Sequence, residues 1–447
     1  MVAAAVVPEG PKGGRLMGNM REFNRDTLGF IERCAREFGD VVLTRFLYVP
    51  ALFLFNPEHI EYILASGSKN FIKPMSLRSP FFHRLVGNGL VTSEGDFWRR
   101  QRRLAQPAFH RDRVNAYGET MVEFTRAMLD GWREGSIIDA HAEMMLLTQA
   151  IVARTLFSAD VSGDSDEIGA ALSLIVQPFS SQATLKWILD NRLPTPGHLR
   201  FNRAVRKIDA FVYRIIAERR ASGEDTGDLL SMLLRAQDED GSGMTDQQLR
   251  DELMTSFLAG HETTALALTW TWYLLARNPE VEAKLAAELE EVLGGREPKA
   301  DDMPRLPFAE WVIRESMRLY PPAWGIGREA VRDCEIGGYH VPAGMQIFGF
   351  QWVVQRDPRW FEEPERFRPE RWGEESAARL PKYAYFPFGG GPRQCIGNYF
   401  ATMEAVLILS TVAQRFRLRL VPEHKVELLP AMSLRPRNGV RMKLEMR

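Results

Sequence analysis

The segment that most constrains this chain is residues 386–397, near the C-terminal end. It reads Phe-Pro-Phe-Gly-Gly-Gly-Pro-Arg-Gln-Cys-Ile-Gly, so three consecutive glycines precede one cysteine. Glycine and proline at this density predict a tight loop with few side chains, which a flat group can approach closely. The apolar spacing over residues 398–416 predicts a helix directly after the loop.

Cys395 therefore lies just before a predicted helix N-terminus. Backbone N–H groups and the helix dipole stabilise a thiolate there, and the thiolate is the form of cysteine that binds metals. An isolated cysteine after a glycine turn would more often be an inert buried residue. Here the cysteine occurs at fixed spacing with Phe388, Gly391, Arg393 and Gly397, and this combination favours a metal ligand.

Composition excludes several classes of protein. Hydrophobic residues make up 45% of the 447 positions, which is enough for a large core and excludes wholesale disorder. The 57 Lys and Arg residues nearly cancel the 58 Asp and Glu residues, leaving a net charge of −1 that argues against nucleic acid as the main partner. Three cysteines cannot form a disulfide framework, and the odd count indicates reduced thiols.

The N-terminal residues carry neither a basic leader nor a long apolar run. No stretch of the sequence approaches the roughly 20 apolar residues that span a bilayer. We therefore expect a cytoplasmic protein with no membrane span.

The chain is predicted to be mostly α with a small β part. Gly and Pro in residues 1–20 predict an extended N-terminal lead-in, and residues 21–447 are expected to form a single domain. Two β-rich runs, at 40–44 and 51–55 and separated by Pro50, predict a small sheet. Helical periodicity dominates residues 96–290, and short strands around a tight turn are expected at 334–342.

One predicted helix is unusually long. Thr245 and Gln248 form a capping-box pair at its start, and nothing ends it before Asn278 and Pro279. It is apolar nearly all round, which predicts burial, yet residues 259–264 read Ala-Gly-His-Glu-Thr-Thr. Polar groups at the centre of a buried helix cost stability, so function is expected there.

At these residues the chain resembles the cytochrome P450 family of haem-thiolate monooxygenases. The family's cysteine-loop signature, Phe-x-x-Gly-x-Arg-x-Cys-x-Gly, is met at every defined position of residues 388–397. Residues 315–318 match its Glu-x-x-Arg helix, and residues 369–372 match its Pro-Glu-Arg-Phe segment with Trp in last place. Residues 259–263 match its oxygen-binding groove.

The resemblance covers about residues 15–445 and implies the triangular, mostly helical P450 fold with one haem b, iron protoporphyrin IX. It implies that Cys395 is the axial ligand of the iron. It also implies a structural triad, Glu315, Arg318 and Arg371, that supports the cysteine loop without a chemical role. The cofactor-binding residues that it implies are Trp98, Arg102, Arg328, Phe388, Gly391, Arg393, Gly397 and Ala259.

Physical arguments support part of this set. Haem propionates are carboxylates that need cationic or N–H partners, and Trp98 and Arg102 lie one helical turn apart. For any lone arginine a solvated surface role would be the better expectation. Glu315 and Arg318 lie on one face of an otherwise apolar helix, which predicts an inward-pointing pair.

The polar centre of the long helix allows two interpretations, which can both hold. Thr263 can bond back to the carbonyl four residues earlier and bend the helix. Alternatively, a local opening at Gly260 makes room for dioxygen, Thr263 supplies a hydroxyl near the iron and Glu262 relays protons from solvent. His261 begins a near match to the zinc-hydrolase motif His-Glu-x-x-His, but position 265 is Ala, so we reject zinc.

Residues 99–103 form a dense positive run, Arg-Arg-Gln-Arg-Arg. The simpler interpretation is a solvated helix face with Arg102 turned inward. The alternative is a docking site for an acidic electron-transfer protein, with salt-sensitive association. Both interpretations fit the residues of this run equally well.

Apolar residues in segments that cover the pocket in P450 proteins predict an apolar substrate of medium or large size. Fatty acids, terpenoids, steroids and polyketides all fit this description. The residues expected to line the pocket, partly in the segments 71–91 and 177–199, are Leu77, Phe81, Phe82, Phe179, Phe257, Ala323, Trp324 and Met432.

The sequence thus predicts a monomeric haem-dependent monooxygenase that inserts one oxygen atom of O₂ into an organic substrate. No flavin or iron–sulfur motif is seen, so electrons are expected from a ferredoxin or flavodoxin with its NAD(P)H reductase. One alternative is a peroxide-using enzyme, a peroxygenase or isomerase, which the retained Glu262 and Thr263 argue against. Another is a non-catalytic haem-binding sensor, which the intact oxygen groove argues against.

Overall fold

A computed structural model gives the fold over residues 7–158, 195–238, 240–373 and 375–447. Helices dominate these residues, and the strands are short. In chain order the α-helices are α1 (Met20–Arg25), α2 (Thr27–Phe38), α3 (Pro57–Glu61), α4 (Pro80–Val86), α5 (Gly95–Ala105), α6 (Arg111–Ala116), α7 (Gly118–Asp130), α8 (Ala140–Phe157), α9 (Pro196–Ser222), α10 (Leu229–Arg235), α11 (Asp246–Arg277), α12 (Pro279–Leu293), α13 (Pro307–Leu319), α14 (Gln351–Val354), α15 (Glu375–Ala378) and α16 (Asn398–Arg415).

The strands pair into small sheets, and a single π-helical turn follows α3 at Tyr62–Ser66. In chain order the strands are β1 (Val41–Phe46), β2 (Val49–Leu54), β3 (Phe71–Ile72), β4 (Ile137–Asp139), β5 (Ile326–Ala330), β6 (Cys334–Ile336), β7 (Tyr339–Val341), β8 (Gln346–Gly349), β9 (Phe416–Leu420), β10 (Leu428–Pro430), β11 (Leu434–Pro436) and β12 (Arg441–Met446).

The chain divides into two compact units that alternate along the sequence. Unit 1 comprises Met1–Ser79, Met317–Cys395 and Met432–Leu434. Unit 2 comprises Pro80–Ser316, Ile396–Ala431 and Arg435–Arg447. The expectation of one domain over residues 21–447 stays a prediction.

Unit 1 is built on a five-stranded sheet with the strand order β1-β2-β8-β5-β3. The antiparallel β1–β2 hairpin turns at Leu47, whose φ is 56°. The predicted strands are confirmed, but Pro50 lies inside β2, opposite Arg45, and does not separate the strands as expected. Proline is tolerated there because β8 pairs with β2 only from Ala51 onward. On that side of β2, no strand therefore requires a hydrogen bond from the N–H group that proline lacks.

Unit 2 is organised around α11, which packs against α8, α9 and α16. The predicted start of this helix is confirmed: the Thr245 hydroxyl accepts from the Gln248 N–H at 3.2 Å, and the Gln248 side chain accepts from the Thr245 N–H at 2.9 Å. The helix ends before Asn278, as predicted, because Pro279 cannot continue its hydrogen-bond ladder. Twenty of its residues are buried.

The other local predictions also hold. The helix expected after the cysteine loop is α16, which begins at Asn398 and gives way to β9 at Phe416. Strands β6 and β7 form the expected tight antiparallel hairpin around Gly337 and Gly338. Of the helices in the described ranges, none combines the length and the apolar character that a bilayer crossing requires.

Candidate functional site

The cysteine loop of unit 1 is closed by its own backbone. The Cys395 N–H donates to the Phe388 carbonyl at 3.0 Å, and the Gln394 N–H donates to the Gly391 carbonyl at 3.1 Å across a single 3₁₀ turn. These bonds hold the loop without help from large side chains. Cys395 is exposed at the end of the loop, three residues before α16 begins.

Gly391 explains why this loop needs glycine. Its φ is +63°, in the left-handed region that L side chains rarely adopt. A Cβ atom at this position would also lie 1.8 Å from the carbonyl oxygen of Leu64, in the π-helical turn. The backbone of the loop therefore packs directly against the backbone of that turn. This contact fixes the position of the loop in unit 1.

The two arginines of the predicted triad support the segment that precedes the cysteine loop. Arg318 donates to the carbonyl oxygens of Gln355 at 2.9 Å, Pro364 at 2.6 Å and Arg366 at 3.1 Å. Arg371 also reaches the Arg366 carbonyl, at 3.5 Å. Both guanidinium groups are buried, where no water is available to donate hydrogen bonds to the backbone carbonyl groups. The planar set of N–H donors on each guanidinium group supplies these hydrogen bonds.

Glu315, the acidic member of the triad, is fully buried one turn before Arg318 on α13. The inward direction predicted for this pair is therefore confirmed by the burial of both side chains. The two arginines donate to backbone carbonyls of residues 355–366, so they stabilise loop structure.

Two further predicted cofactor contacts lie in unit 1. Arg328 is on β5 and is 4% exposed, with one N–H donated to the Gly327 carbonyl at 2.8 Å. Arg393 is half-buried within the cysteine loop, as is Phe388. The strand and the loop thus each contribute a cation to unit 1.

In unit 2, the middle of α11 has an open face. Ala259 and Thr263, one turn apart, are exposed, whereas twenty residues of this helix are buried. The Thr263 hydroxyl donates to the Ala259 carbonyl at 2.7 Å, and the Thr264 hydroxyl donates to the Gly260 carbonyl at 3.1 Å. The back-bonding that the sequence suggested is therefore present.

The helix nevertheless remains α-helical across Gly260, so the expected local opening of its hydrogen-bond ladder is not seen. The Thr263 and Thr264 hydroxyls share the Ala259 and Gly260 carbonyls with the helical hydrogen bonds, and the ladder itself stays intact at this turn. His261 faces the interior: its Nδ1 lies 2.9 Å from the Phe257 carbonyl, and its own carbonyl accepts from Thr148 of α8 at 2.9 Å.

Glu262 is held by a partner that the sequence did not suggest. Arg435, on β11, places Nε 2.7 Å and Nη2 2.5 Å from the same carboxylate oxygen of Glu262. Both side chains are largely buried in unit 2. The pair lies next to Thr263 in sequence, so the residue expected to relay protons begins in an ion pair.

Trp98 and Arg102 line a pocket on the surface of α5. The pocket has a volume of about 440 Å³, and Arg99, Arg103 and Pro107 also line it. Trp98 and Arg102 are half-buried, whereas Arg99 and Arg103 are exposed. The pocket therefore combines an indole with three guanidinium groups, a donor set that suits carboxylates.

The positive run on α5 is partly compensated within unit 2. Asp238 accepts from Arg100 at 2.9 Å and also forms an ion pair with Arg103. Arg99 pairs with Asp96 one turn earlier on the same helix. The run is thus less positive than the sequence alone indicated, and the pairs with Asp238 tie α5 to the segment before α11.

Of the predicted pocket residues, Phe81, Phe82 and Phe257 lie in unit 2 and are buried. The first two are on α4, which packs against α11, the helix that carries Phe257. Phe81 also stacks on Phe201 of α9, with ring centroids 4.6 Å apart. Helices α4 and α9 thus share an aromatic stack, and α4 packs against the helix that carries Phe257.

The remaining predicted pocket residues are in unit 1 or outside the described residues. Leu77 and Ala323 are half-buried, and Met432 is 48% exposed. Trp324 stacks on Phe350 at 6.0 Å within the aromatic core beside the five-stranded sheet. Phe179 lies outside the described residues.

Some residues important to the site were missed by sequence reasoning. Arg435 is 173 residues from Glu262, and no local pattern marks it. Glu404 on α16 is fully buried, and neither of its carboxyl oxygens has a close hydrogen-bond partner among the described residues. Its position on the apolar face of the helix was the available signal, since a carboxyl group is rarely buried there.

Similarity to known proteins extends over nearly the whole chain. The family model described as "Cytochrome P450" matches residues 8–444. Cyclooctatin synthase from Streptomyces melanosporofaciens is 39% identical over 435 residues, 95% of this chain and 92% of that protein. Cyclooctat-9-en-7-ol 5-monooxygenase from the same organism is 40% identical over 341 residues, 76% of this chain and 74% of that protein.

The fold is shared with solved structures as well. The structure of the retinoic acid bound cyanobacterial CYP120A1 superposes on this chain with a TM-score of 0.88 at 25% sequence identity. The match covers 99% of this chain and 100% of the other.

Proposed function

The chain belongs to the cytochrome P450 family, and we therefore propose that it is a haem b-dependent monooxygenase acting on an apolar cyclic substrate of the terpenoid class. The observation that carries the assignment of the site is the exposed Cys395 thiol at the end of a glycine loop closed by its own backbone. When bound, haem b supplies an iron that activates O₂, so that one oxygen atom enters the substrate and the other leaves as water.

The residues present fit this cofactor. A side chain at position 391 would overlap the Leu64 carbonyl, so the loop that carries Cys395 stays bare and flat enough for a planar group to approach. We assign Cys395 as the thiolate ligand, and Arg328 and Arg393 of unit 1 as cationic partners of the propionates. In unit 2, Trp98 and Arg102 are assigned the same role.

Thr263 is proposed to hold a proton at its Oγ1. Its hydroxyl is exposed and donates to the Ala259 carbonyl at 2.7 Å, so both lone pairs of Oγ1 remain available to accept a proton-carrying water. Because the donor direction is fixed by the helix, the acceptor side of the hydroxyl is oriented outward. Such a preoriented acceptor orders water without a reorganisation cost at the moment of reaction.

Glu262 is proposed to move protons toward Thr263. Its carboxylate is paired with Arg435 through one oxygen, so the proposed proton transfer includes a side-chain movement that loosens this pair. The balance of the reaction requires two electrons and two protons for each O₂ consumed. The ion pair therefore makes proton supply depend on a side-chain movement in unit 2.

The proposed substrate class has two supports. Cyclooctat-9-en-7-ol, in the name of one relative, is a cyclic alkene with one hydroxyl, and retinoic acid, bound in the similar cyanobacterial structure, is a largely apolar acid. In this chain, Phe81, Phe82 and Phe257 are buried aromatic side chains. Such side chains bind a compact apolar skeleton by contact area and offer little to a charged substrate.

Electrons are proposed to come from a ferredoxin or flavodoxin that docks on the exposed part of α5. Arg99 and Arg103 remain exposed there despite their ion pairs, so the face stays available to an acidic partner. The double change Arg99→Glu and Arg103→Glu should slow reduction of the enzyme by a ferredoxin at low salt and have little effect at high salt. The same exchange at the exposed Arg36 and Arg379 should leave the rate unchanged.

The function is tested on the purified holoenzyme. Reduction under carbon monoxide should give the strongly red-shifted Soret band of a thiolate-ligated haem. Cys395→Ser should abolish that band, while Cys34→Ser, at a buried cysteine in unit 1, should keep it. A red-shifted band that survives in Cys395→Ser would refute the assigned ligand.

The substrate class is tested by spectral titration of the ferric enzyme. Cyclooctat-9-en-7-ol should displace water from the iron at lower concentration than lauric acid, a linear fatty acid. Tighter binding of lauric acid would overturn the proposed class and favour a fatty acid. Product formation with ferredoxin, its reductase and NADPH then identifies the oxygenated position.

A further inference from the structure

Three consecutive charged residues are buried near the start of α11. Arg250, Asp251 and Glu252 are 3%, 5% and 2% exposed, although charged side chains are rarely buried without partners. Successive residues of an α-helix point about 100° apart, so the three side chains face different neighbours. Each of the three therefore reaches partners that the others do not, in addition to the contact between Arg250 and Asp251.

Asp251 holds the loop that follows α4. Its Oδ2 accepts from the backbone N–H of Asn88 at 2.8 Å, and its Oδ1 accepts from the Gln247 side chain at 2.8 Å and from Arg250 at 3.1 Å. Gly87 makes this approach possible: its φ is +58°, and a Cβ atom there would lie 1.9 Å from the Asp251 carboxylate. Any side chain at position 87 would push the loop off α11.

Glu252 holds the same loop two residues further on. Its Oε2 accepts from the Leu90 N–H at 3.1 Å, and burial raises the pKa of this carboxyl to about 8. Gly89 lies directly on the helix, since a Cβ atom there would be 2.3 Å from the Thr255 hydroxyl oxygen. The loop at residues 87–90 is thus attached to α11 by alternate backbone N–H groups.

Arg250 holds a second element, α9. Its Nε donates to an oxygen of Asp209 at 2.8 Å, and a second guanidinium N–H reaches the same oxygen. Helix α9 also carries Phe201, which stacks on Phe81 of α4. The buried charges therefore fasten both α9 and the loop after α4, and the aromatic stack joins the two fastened elements to each other.

We propose that Arg250, Asp251 and Glu252 form a latch, here called the α11 latch, whose opening admits bulky ligands past α4 and α9. The proposal rests on the proposed function, in which Phe81 and Phe82 of α4 contact the substrate. Breaking the latch exposes two buried carboxyl groups, a guanidinium group and two backbone N–H groups together. Because these buried groups lose their partners together, a fully closed or a fully open arrangement of the loop and α9 is favoured over arrangements in between.

The test uses the haem-loaded enzyme and two readouts. Hydrogen–deuterium exchange measures opening of residues 80–93, and stopped-flow spectra measure the association rates of clotrimazole, a bulky imidazole, and of imidazole itself. The latch variant is Asp251→Ala, and Asp251→Asn, which keeps an acceptor for the Asn88 N–H, is the conservative variant if the first does not retain haem. Glu288→Ala is the matched control.

Glu288 is well suited to that role because it makes the same type of contact elsewhere in unit 2. On α12, its two oxygens accept from the backbone N–H groups of Phe308 at 2.7 Å and Ala309 at 2.9 Å. Its removal should cost similar stability at a site away from α4 and α9. A general loss of stability would therefore affect the control and the latch variant alike.

We expect Asp251→Ala to raise exchange of residues 80–93 about tenfold or more, because loss of the bond to the Asn88 N–H alone gives about that factor. Clotrimazole should associate several-fold faster with this variant, while the rate for imidazole and both rates for Glu288→Ala stay unchanged. Faster exchange without faster clotrimazole binding would overturn the gating role, and equal exchange in latch and control variants would overturn the latch. Neither readout uses the substrate or O₂, so an error in the substrate class leaves the test intact.

Discussion

The carboxylate of Glu262 and the guanidinium of Arg435 form an ion pair in which one oxygen lies 2.7 Å from Nε and 2.5 Å from Nη2. The two side chains are 14% and 11% exposed, so water screens their attraction only weakly. The proton role proposed for Glu262 therefore starts from a carboxylate that already has a cationic partner. Variants of either residue measure how strongly the two side chains are coupled.

Arg435→Met should leave the Glu262 carboxylate without its cationic partner and lower the free energy of unfolding by about 3 kcal/mol. Adding Glu262→Gln should recover most of that loss, because no uncompensated buried charge then remains. Urea unfolding of both single variants and the double variant measures the coupling. Additive losses in the double variant would show that the pair contributes nothing as a pair.

Thr263→Ala should keep substrate binding but divert reducing equivalents into peroxide, because the hydroxyl that orders proton-carrying water is lost. The ratio of product to NAD(P)H consumed measures this effect. Thr264→Ala is the matched control, since its hydroxyl donates to the next carbonyl of the same helix but is buried. An unchanged ratio in Thr263→Ala would rule out the assigned proton role.

Glu404 should make stability fall with rising pH. Burial is the main cause that raises the pKa of this carboxyl from 4.5 to about 8, and the nearby Thr264 hydroxyl opposes the shift. The folded protein then binds more protons than the unfolded chain between these values, so its contribution to stability is complete below pH 4.5 and is lost progressively up to about pH 8.

Glu404→Gln should remove that contribution, which amounts to about 1.4 kcal/mol per pH unit within the window. Urea unfolding at pH 5, 6, 7 and 8 gives the slope for each protein. The same change at Glu123, an exposed residue of α7, should leave the slope as in the parent. If the parent and Glu404→Gln have the same slope, the carboxyl is ionised in the folded protein at neutral pH.

Arg371→Lys should destabilise unit 1 nearly as much as Arg371→Ala. Arg371 reaches the carbonyls of Glu362 at 3.0 Å and of Glu363 at 3.4 Å, in addition to the Arg366 carbonyl that it shares with Arg318. An ammonium cannot reproduce the guanidinium's planar fork of donors. We expect a loss of about 2 to 3 kcal/mol in urea unfolding and weaker haem retention.

Arg379→Lys provides the comparison, because that arginine is 79% exposed and pairs with Glu375 one turn earlier on the surface. Its replacement should be close to neutral. A lysine that fully restores stability at position 371 would mean that charge alone, without the forked geometry, supports the loop.

Local patterns account for the parts of this protein that could be predicted. Thr245, Gln248 and Pro279 bound the long helix, and each acts through atoms within four residues of its own position. The cysteine loop is likewise closed by bonds between residues at most seven apart, such as that from Cys395 to Phe388. Rules about neighbouring residues are sufficient for the long helix and the cysteine loop, so both could be located from the sequence.

Other features depended on partners far away in the chain. Pro50 lies inside β2 and does not separate two strands, because the pairing of β8, almost 300 residues later, begins only at Ala51. In the sequence, no pattern distinguishes the latch residue Asp251 from any other aspartate in a helix. Its contact with Asn88 joins residues that are 163 positions apart. No periodicity within a segment encodes such a pairing.

The family, the glycine-rich loop with Cys395 and the long helix with Thr263 could all be inferred from the amino-acid order, since each depends on residues a few positions apart. The ion pair between Glu262 and Arg435, and the meeting of Arg318 and Arg371 at one carbonyl, became visible only in the folded chain. Buried charges need partners, and packing, not spacing along the chain, chooses which partners are within reach.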